Sequence, residues 1–290
     1  MEPPARVIRV DSRFRTRGTT SDFAVSLPQA LSFSEDCVCY VSAVSLSHTW
    51  WNVSGDMNDV LYVIESKGLP TTPNQTCRAV QLPPGYYTAT SLPSMLQTAL
   101  NTGSTLSPMQ YACTYDPTRG TVTIRLLAGT GSDATARFRL PSTRELMDPN
   151  FTSTWLPRGT GTAVGYNRMD PDSVGELLRL PEASVATTAL ETGLVNVTPI
   201  DVLYLTSNLT NWSTIGPRGE ADWICRIPVD VAYGFGIHWQ HSGNVYDFFE
   251  VGSMSGIQEL TFKVINSFGT VVDLQGAPVS IELVFAPRPK

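Results

Sequence analysis

The sequence is poor in charge and in the residues that most often carry catalysis. Asp, Glu, Lys and Arg make up 16% of its 290 residues, whereas an average soluble domain has roughly 25%. Only three histidines are present, and neither a Gly-x-Ser-x-Gly nucleophile motif nor a Walker phosphate-binding motif occurs. Ser, Thr, Asn and Gln supply the polarity instead. A monomer usually stays soluble because its surface carries charges of both signs. This composition therefore favours a structural or binding protein over an enzyme.

No group of residues has the spacing that a metal or catalytic site needs. His238 and His241 are the closest pair of histidines, and His48 is the third. A strand places ligands at i and i+2 rather than i and i+3, and a catalytic zinc site takes three protein ligands. A loop-rich region holds Glu176, Glu182 and Glu191. It offers no apolar setting that would shift a pKa, so the sequence predicts no catalytic residue, no metal and no cofactor.

Long apolar runs and a secretion signal are missing as well. No stretch approaches the roughly 18 consecutive apolar residues of a membrane helix. The first residues lack the basic start and apolar core of a signal peptide. The five cysteines are odd in number and scattered, which fits free thiols in a reducing compartment. The sequence therefore predicts no membrane span and no conventional secretion.

What the sequence does contain is one short strand pattern after another. Runs of β-branched and apolar residues predict strands at 23–27, 37–46, 59–65, 110–115, 121–127, 136–140, 202–206, 223–229, 246–251, 259–265, 271–274 and 279–285. Three leucines at helical spacing predict one helix at 91–101, with Ser91 as its N-cap. Turn residues at 116–120 predict a hairpin of the strands at 110–115 and 121–127. Residues 143–147 are predicted to form a short helical turn, and 150–192 is predicted to be loop. The pattern predicts an all-β body made from both chain ends, with a smaller β-rich unit inserted between them.

The N-terminal residues carry charge of the opposite sign to the rest of the chain. Residues 1–18 contain five arginines and two acidic residues, which gives this segment a net charge of +3. The whole chain has a formal charge of −6. We expect a basic arm at 1–20 that contacts nucleic acid or an acidic partner, or is a solvated tail. With a pI near 5.1, phosphate backbones are not expected as the main partner. Deleting residues 1–18 is expected to weaken assembly and leave the monomer folded.

Two aromatic pairs stand out in the predicted loops. Trp50-Trp51 and Tyr86-Tyr87 suit sugar-stacking platforms, anchors of a protein interface, or ordinary core and loop packing. The sequence alone leaves these three alternatives open.

Several segments together carry a family resemblance. They are Asp11-Ser12-Arg13 with Arg15, residues 23–28, residues 41–46, Trp50-Trp51-Asn52 with Asn58, and residues 82–87, 115–117, 272–276 and 279–285. These strand and turn patterns resemble the penton, or minor capsid, proteins of double-jelly-roll DNA viruses, especially the Polinton, adintovirus, adomavirus and virophage types. The resemblance spans nearly the whole chain and departs from the family's usual spacing around 150–192.

The resemblance implies a fold and an assembly. The fold is an antiparallel jelly-roll sandwich of residues 21–70 and 195–290, with an inserted β-rich (α+β) domain at 71–194 that contains one short helix. Five copies would close each icosahedral vertex of a virion, in contact with trimers of the major capsid protein. Other minor capsid proteins or a vertex fibre are possible further partners, and nucleic acid would be reached only through the N-terminal arm. Length agrees with a penton, since two fused jelly rolls need a longer chain.

The residues expected at subunit interfaces are Arg13, Arg15, Arg17, Trp50 and Trp51. Broad surfaces of low charge suit a ring whose subunits each present two different faces. The alternative is a receptor- or carbohydrate-binding β-sandwich protein, such as a spike or fibre component, in which the aromatic pairs stack on sugars. A hydrolase on a jelly-roll scaffold is the third hypothesis, and it needs a cluster of carboxylates or histidines in a cleft.

Overall fold

The computed structural model describes residues 5–32, 37–55, 58–67, 74–129, 133–141, 174–180, 185–209, 222–243, 248–250 and 255–287. Contacts divide the chain into two compact units. Unit 1 comprises Met1–Trp50 and Ile200–Lys290, and unit 2 comprises Trp51–Pro199. Unit 2 is therefore an insertion within the sequence of unit 1. Among the described residues, no helix has the length and apolar character needed to span a membrane.

Antiparallel strands dominate both units. In chain order, the elements are β1 (Arg6–Asp11), β2 (Arg17–Gly18), β3 (Asp22–Ser32), β4 (Cys37–Ser47), β5 (Val60–Lys67), β6 (Asn74–Gln81), α1 (Leu92–Asn101), β7 (Gln110–Asp116), β8 (Thr121–Leu127), β9 (Arg137–Arg139), α2 (Gly175–Leu178), β10 (Ala189–Glu191), β11 (Val202–Ser207), β12 (Trp223–Pro228), β13 (Gly236–Gln240), β14 (Phe249–Glu250), β15 (Ser255–Ile265) and β16 (Ser280–Pro287).

Unit 1 is a jelly-roll sandwich of two five-stranded sheets. The first sheet has the order β1-β16-β4-β13, with β14 also paired to β4, and the second has the order β12-β11-β15-β3-β2. Each sheet combines strands from the two ends of the chain, as in a jelly roll, and in the first sheet the N-terminal and C-terminal strands alternate. The sequence prediction of an all-β jelly roll built from both chain ends is confirmed.

The core of unit 1 lies between these two sheets. Inward residues alternate along each strand, as Leu260, Phe262 and Val264 do along β15, and these three side chains are fully buried. Ile281 and Leu283 on β16 are equally buried from the opposite sheet. Burial of apolar surface from both sheets is what holds the sandwich together.

Unit 2 has two three-stranded sheets and the helix α1. The sheet orders are β10-β8-β7 and β6-β5-β9. The fully buried residues Leu92, Leu96 and Leu100 form the inward stripe of α1, and they pack with residues from both sheets in one core. This arrangement confirms the predicted β-rich insertion with its helix and the hairpin of β7 and β8.

The cap of α1 differs from the predicted one. The Ser91 side chain makes no cap hydrogen bond to the helix. Instead, the Ser91 backbone N–H donates to the Thr88 hydroxyl at 3.1 Å, and the Thr88 N–H donates to the Ser91 hydroxyl at 2.9 Å. This reciprocal pair is a capping box in which Thr88 takes the N-cap position and Ser91 the N3 position, so the cap lies three residues before the predicted one.

A buried carboxylate organises the polar part of unit 2. The Glu65 side chain is fully buried and accepts five hydrogen bonds, from the Arg78 guanidinium, the Ser104 hydroxyl, the Thr105 N–H and hydroxyl, and the Tyr111 hydroxyl, at 2.6–2.9 Å. Burial by itself would raise the pKa of the Glu65 carboxyl, but the hydrogen bonds from Thr105 and Arg78 outweigh it and hold that pKa below its usual range. Glu65 therefore stays ionised inside the unit.

The structure corrects three sequence predictions. Residues 6–11 are not part of a free arm, because β1 pairs along its whole length with β16 and buries Val10 in the core. The strand β5 pairs with β6 and β9 in unit 2, so the unit boundary falls after Trp50 and not at 70. The strand β3 continues past Pro28 through an irregular register with β15, which tolerates a residue that has no N–H to donate.

Other differences concern weaker patterns. Sequence patterns did not predict β13, because Gly236 at its start shortens the alternation of apolar and polar residues. Residues 271–274 contribute an isolated bridge, Ile265 to Val271, instead of a strand. The predicted helical turn at 143–147 lies outside the described residues, as does most of the predicted loop at 150–192.

Candidate assembly surface

A tight turn after β1 projects an exposed aromatic side chain. A 3₁₀ turn covers Ser12–Phe14, and Phe14 is 75% exposed while Ser12 is fully buried. The Ser12 N–H donates to the Val279 carbonyl, and the Val279 N–H donates to the Ser12 hydroxyl, both at 2.9 Å. The base of the turn is thus fixed to the start of β16, so Phe14 stands on a rigid support.

The arginines around Phe14 brace this turn. The Asp11 carboxylate accepts from the Arg13 backbone N–H at 2.9 Å and from its guanidinium at 2.6 Å, and the hydrogen bonds from Arg13 hold the pKa of Asp11 below its usual range. Arg15 donates to the Ser12 and Gly18 carbonyls. Arg17 on β2 pairs with Glu259 on β15. The three arginines, which were predicted to belong to a basic arm, therefore use many of their hydrogen-bond donors within the subunit.

Gly18 closes the same turn and admits no side chain. Its φ is +90°, and a Cβ at this position would lie 2.0 Å from the Asp22 carbonyl oxygen. The Thr19 N–H donates to that same oxygen at 2.7 Å. The chain can return from β2 into β3 here because glycine alone fits both the backbone angle and the close approach.

A second exposed phenylalanine precedes β13. Phe235 is 63% exposed, and Gly234 beside it has φ +86°. The His48 N–H donates to the Phe235 carbonyl at 2.9 Å, and the Gly234 N–H donates to the His48 carbonyl at 2.7 Å. This pair of backbone bonds ties the loop before β13 to the end of β4, so Phe235 is also presented on a fixed backbone.

Trp50 is a core residue and not a surface anchor. Its side chain is only 4% exposed, and its ring stacks on His48 with centroids 4.1 Å apart. The prediction that Trp50 anchors an interface is wrong for a physical reason: a ring already buried in its own subunit has no surface left for a neighbour. Trp51 is half-buried and begins unit 2, and its interface role stays a prediction.

Burial of His48 gives unit 1 a pH-dependent element. His48 is 2% exposed, and its Nδ1 lies 3.0 Å from the Val231 carbonyl, so Nδ1 carries the proton and donates. Burial lowers the pKa of His48, and the hydrogen bond to Val231 opposes part of that shift. Because the unfolded chain binds the proton more readily, the stabilising contribution is fully present above a pH of about 6.5 and is lost as pH falls through the folded pKa.

We expect hydrogen exchange in β4 and β13 to accelerate as pH falls from about 7 to about 5, after correction for the intrinsic exchange rate. The variant His48→Gln should show a smaller pH effect, because glutamine does not titrate. His238→Gln is the matched control, since His238 is exposed and hydrogen-bonded to Ser45, and it should keep the parental pH effect. Equal pH effects in the parent and in His48→Gln would contradict this role.

The outer face of the first sheet is partly apolar. Val7 on β1, Val284 on β16 and Tyr40 on β4 lie in register across three strands. Val7 is 53% exposed. In the next outward row, Arg9 pairs with Glu282. The corresponding face of the second sheet carries the ion pairs of Arg17 with Glu259 and of Lys263 with Asp22, so the two outer faces differ in chemistry.

Among the residues that the structure describes, the candidate ligands and carboxylates do not form one cluster. Within the described ranges, no three His, Cys, Asp or Glu side chains form a group that could hold a metal. His48 is buried in the core, while His238 is exposed on β13. Glu191 accepts from Thr121 and pairs with Arg119. Glu182 lies outside the described residues, and of Glu176 the structure describes only its backbone place in α2.

Neither exposed phenylalanine was among the residues predicted at an interface. Phe14 lies among arginines, and Phe235 lies between two glycines, so neither belongs to an apolar pattern that would have predicted core packing. That isolation is itself a signal, because a large apolar residue in a polar or glycine-rich turn has no neighbouring apolar residues in sequence to pack with.

Known proteins resemble this chain in structure. No protein-family model matches the sequence, and neither does any curated protein. Among solved structures, the crystal structure of selenomethionine-labelled mavirus penton protein is similar, with a TM-score of 0.53 and 7% sequence identity, over 98% of this chain and 100% of that chain. The chain thus has a penton-like fold over nearly its whole length.

Proposed function

We propose that this protein is a structural capsid protein, a penton that forms the five-fold vertices of an icosahedral shell as a homopentamer. The observation that carries the proposal is the likeness to the mavirus penton protein, which includes both the jelly roll and the insertion and leaves almost nothing of either chain unmatched. Because one fold serves many functions, the proposal also needs support from the surface of this chain.

The surface of unit 1 supports a ring of copies. A cyclic assembly uses heterologous contacts, so each subunit must present two different surfaces to its two neighbours. The two outer faces of the sandwich differ: one carries the apolar row that starts at Val7 next to the pair of Arg9 with Glu282, and the other carries two ion pairs without such a row. A low fraction of charged residues over the whole chain suits surfaces that become buried.

In this proposal, the neighbours beyond the ring are trimers of the major capsid protein, and the protein resides in the virion. Other minor capsid proteins or a vertex fibre are further proposed partners. Nucleic acid is a weaker candidate partner than the sequence suggested, because Arg9, Arg13 and Arg17 each pair with a carboxylate of the same subunit. Phosphate binding at these positions would have to break those pairs.

The mass of the purified protein in solution tests the proposal. Light scattering at several concentrations should show a species of about 158 kDa, five times the 31.6 kDa chain. The ratio of five is the expected result, and a monomer at every concentration would contradict the homopentamer. A monomer that binds glycans on an array would instead support the alternative of a receptor- or carbohydrate-binding protein.

A further inference from the structure

The two exposed phenylalanines of unit 1 lie at opposite edges of one sheet. Phe14 follows β1 and Phe235 precedes β13, and these are the two edge strands in the order β1-β16-β4-β13. Three strand spacings separate the two edges, which is about 14 Å. Since β1 ends and β13 begins on the same end of the sheet, both side chains belong to the same end of the sandwich.

Both phenylalanines are held in place by backbone bonds to the central strands. Ser12 joins the Phe14 turn to Val279, just before β16, and His48 joins the Phe235 loop to the end of β4. A fixed backbone means that little conformational freedom is lost when a partner covers the ring. Exposed aromatic residues that are already ordered are the type that dominates the binding energy of protein interfaces.

The turn that carries Phe14 and the loop before Phe235 have charges of opposite sign on or next to their backbone. Next to Phe14, Arg15 donates to two backbone carbonyls and has no carboxylate partner among the described residues. The loop that leads to Phe235 contains the exposed Asp230. Its first N–H, that of Val229, donates to the backbone carbonyl of Asp201 at 2.8 Å, and Asp201 is exposed as well. Neither aspartate has an ion pair within the described part of the chain. One edge therefore offers a cation beside an aromatic ring, and the other offers anions.

We infer that Phe14 of one copy and Phe235 of the next copy form the two halves of one heterologous contact, with Arg15 facing Asp201 and Asp230. The inference rests on the proposed homopentamer and names the surface that closes it. Two complementary patches at opposite edges of a subunit make a head-to-tail contact, and repetition of that contact closes a ring. A contact of each patch with itself would instead give an isologous dimer.

Thiol cross-linking in the full-length protein tests this pairing. We would prepare Phe14→Cys, Phe235→Cys and the double variant, and treat each assembled protein with a short bismaleimide. The two single variants co-expressed should give two-subunit products, because each subunit then carries one of the two introduced thiols. The double variant should give a ladder that ends at five subunits. Each single variant alone should give no product above that of the parent protein, whose native cysteines set the background.

Val185→Cys is the matched control, because Val185 is 79% exposed and belongs to unit 2; it should stay at background. Cross-linking of Phe14→Cys to itself would overturn the inference in favour of an isologous contact. Five-subunit particles of the double variant that do not cross-link would overturn the inference and leave the proposed pentamer standing. A parent protein that stays monomeric would contradict both. Thermal unfolding at the parental temperature verifies that each variant is folded.

Discussion

Replacing Glu65 by glutamine is expected to destabilise unit 2 by about 3–5 kcal/mol, the usual cost of breaking a buried ion pair by removing one partner. The Arg78 side chain is 13% exposed and would lose its counterion. A glutamine amide also turns one acceptor into a donor, although all five bonds that reach Glu65 come from donors. Hydrogen exchange measured on β7 and β8 should accelerate by roughly two to three orders of magnitude.

Glu191→Gln is the matched control within the same unit. Glu191 also pairs with an arginine, Arg119, but this pair is exposed, with 38% of the Glu191 side chain accessible. An exposed pair is worth at most about 1 kcal/mol, so this variant should exchange almost as slowly as the parent. If Glu65→Gln behaved like Glu191→Gln, the central role of the carboxylate in unit 2 would be wrong.

The same carboxylate predicts how unit 2 responds to acid. The folded pKa of Glu65 lies below its usual range, so the unfolded chain binds a proton more readily than the folded one. The stabilising contribution is therefore fully present above a pH of about 4.3 and is lost as pH falls through the folded pKa. The stabilising contribution of His48 to unit 1 already declines below a pH of about 6.5. As pH falls, the titration of His48 should therefore destabilise unit 1 before the titration of Glu65 destabilises unit 2.

Gly18→Ala is expected to destabilise unit 1 by about 3 kcal/mol or more, which combines a left-handed backbone penalty with a steric clash. The added methyl group would lie 2.0 Å from the Asp22 carbonyl oxygen and 2.9 Å from the Phe23 Cα. Both are backbone atoms, so no side-chain rotation relieves the clash. The chain must open the pairing of β2 with β3, and the turn that carries Phe14 should lose its position. Thermal unfolding and solution mass should both change.

Gly276→Ala separates the two causes of this effect. Gly276 also has a positive φ, +79°, but a Cβ there meets no atom within 4 Å. Only the backbone penalty remains, about 1–2 kcal/mol, and the Phe14 turn is untouched. Assembly should therefore survive in Gly276→Ala and fail in Gly18→Ala. Equal losses of stability in the two variants would show that the close approach to Asp22 does not matter.

Sequence patterns predicted the elements whose periodicity is strong. The helix at 91–101 and the hairpin of β7 and β8 followed from leucine spacing and from the turn at 116–120. Assigning β5 to the wrong unit had a physical cause. Its first six residues are buried, and a strand that is buried on both faces carries no pattern that says which sheet surrounds it.

The candidate surface was harder to predict than the fold. The net charge of Arg13, Arg15 and Arg17 suggested a basic arm, because the acid Glu259 that pairs with Arg17 lies 242 residues away in the sequence. Composition cannot reveal such a partner. Trp50 was selected for its size and its position in a polar loop, and its burial depends on His48 and on the sandwich that encloses both. Local sequence does not encode either contact.

The structure of the N-terminal segment also changes the result expected from deleting it. Val10 and Ser12 are buried, and β1 covers one edge of β16. Deleting residues 1–18 would therefore remove part of the core and expose the edge of a sheet, so the monomer is not expected to stay folded. Point substitutions at Phe14 and Phe235 test assembly without this complication.

Electron microscopy of the purified full-length protein tests the central claim most directly. The claim is that copies of this chain close into a ring through two different surfaces of each subunit. Class averages of the particles should show closed rings with five-fold symmetry. Single subunits at all concentrations, two-fold particles or open filaments would contradict the account.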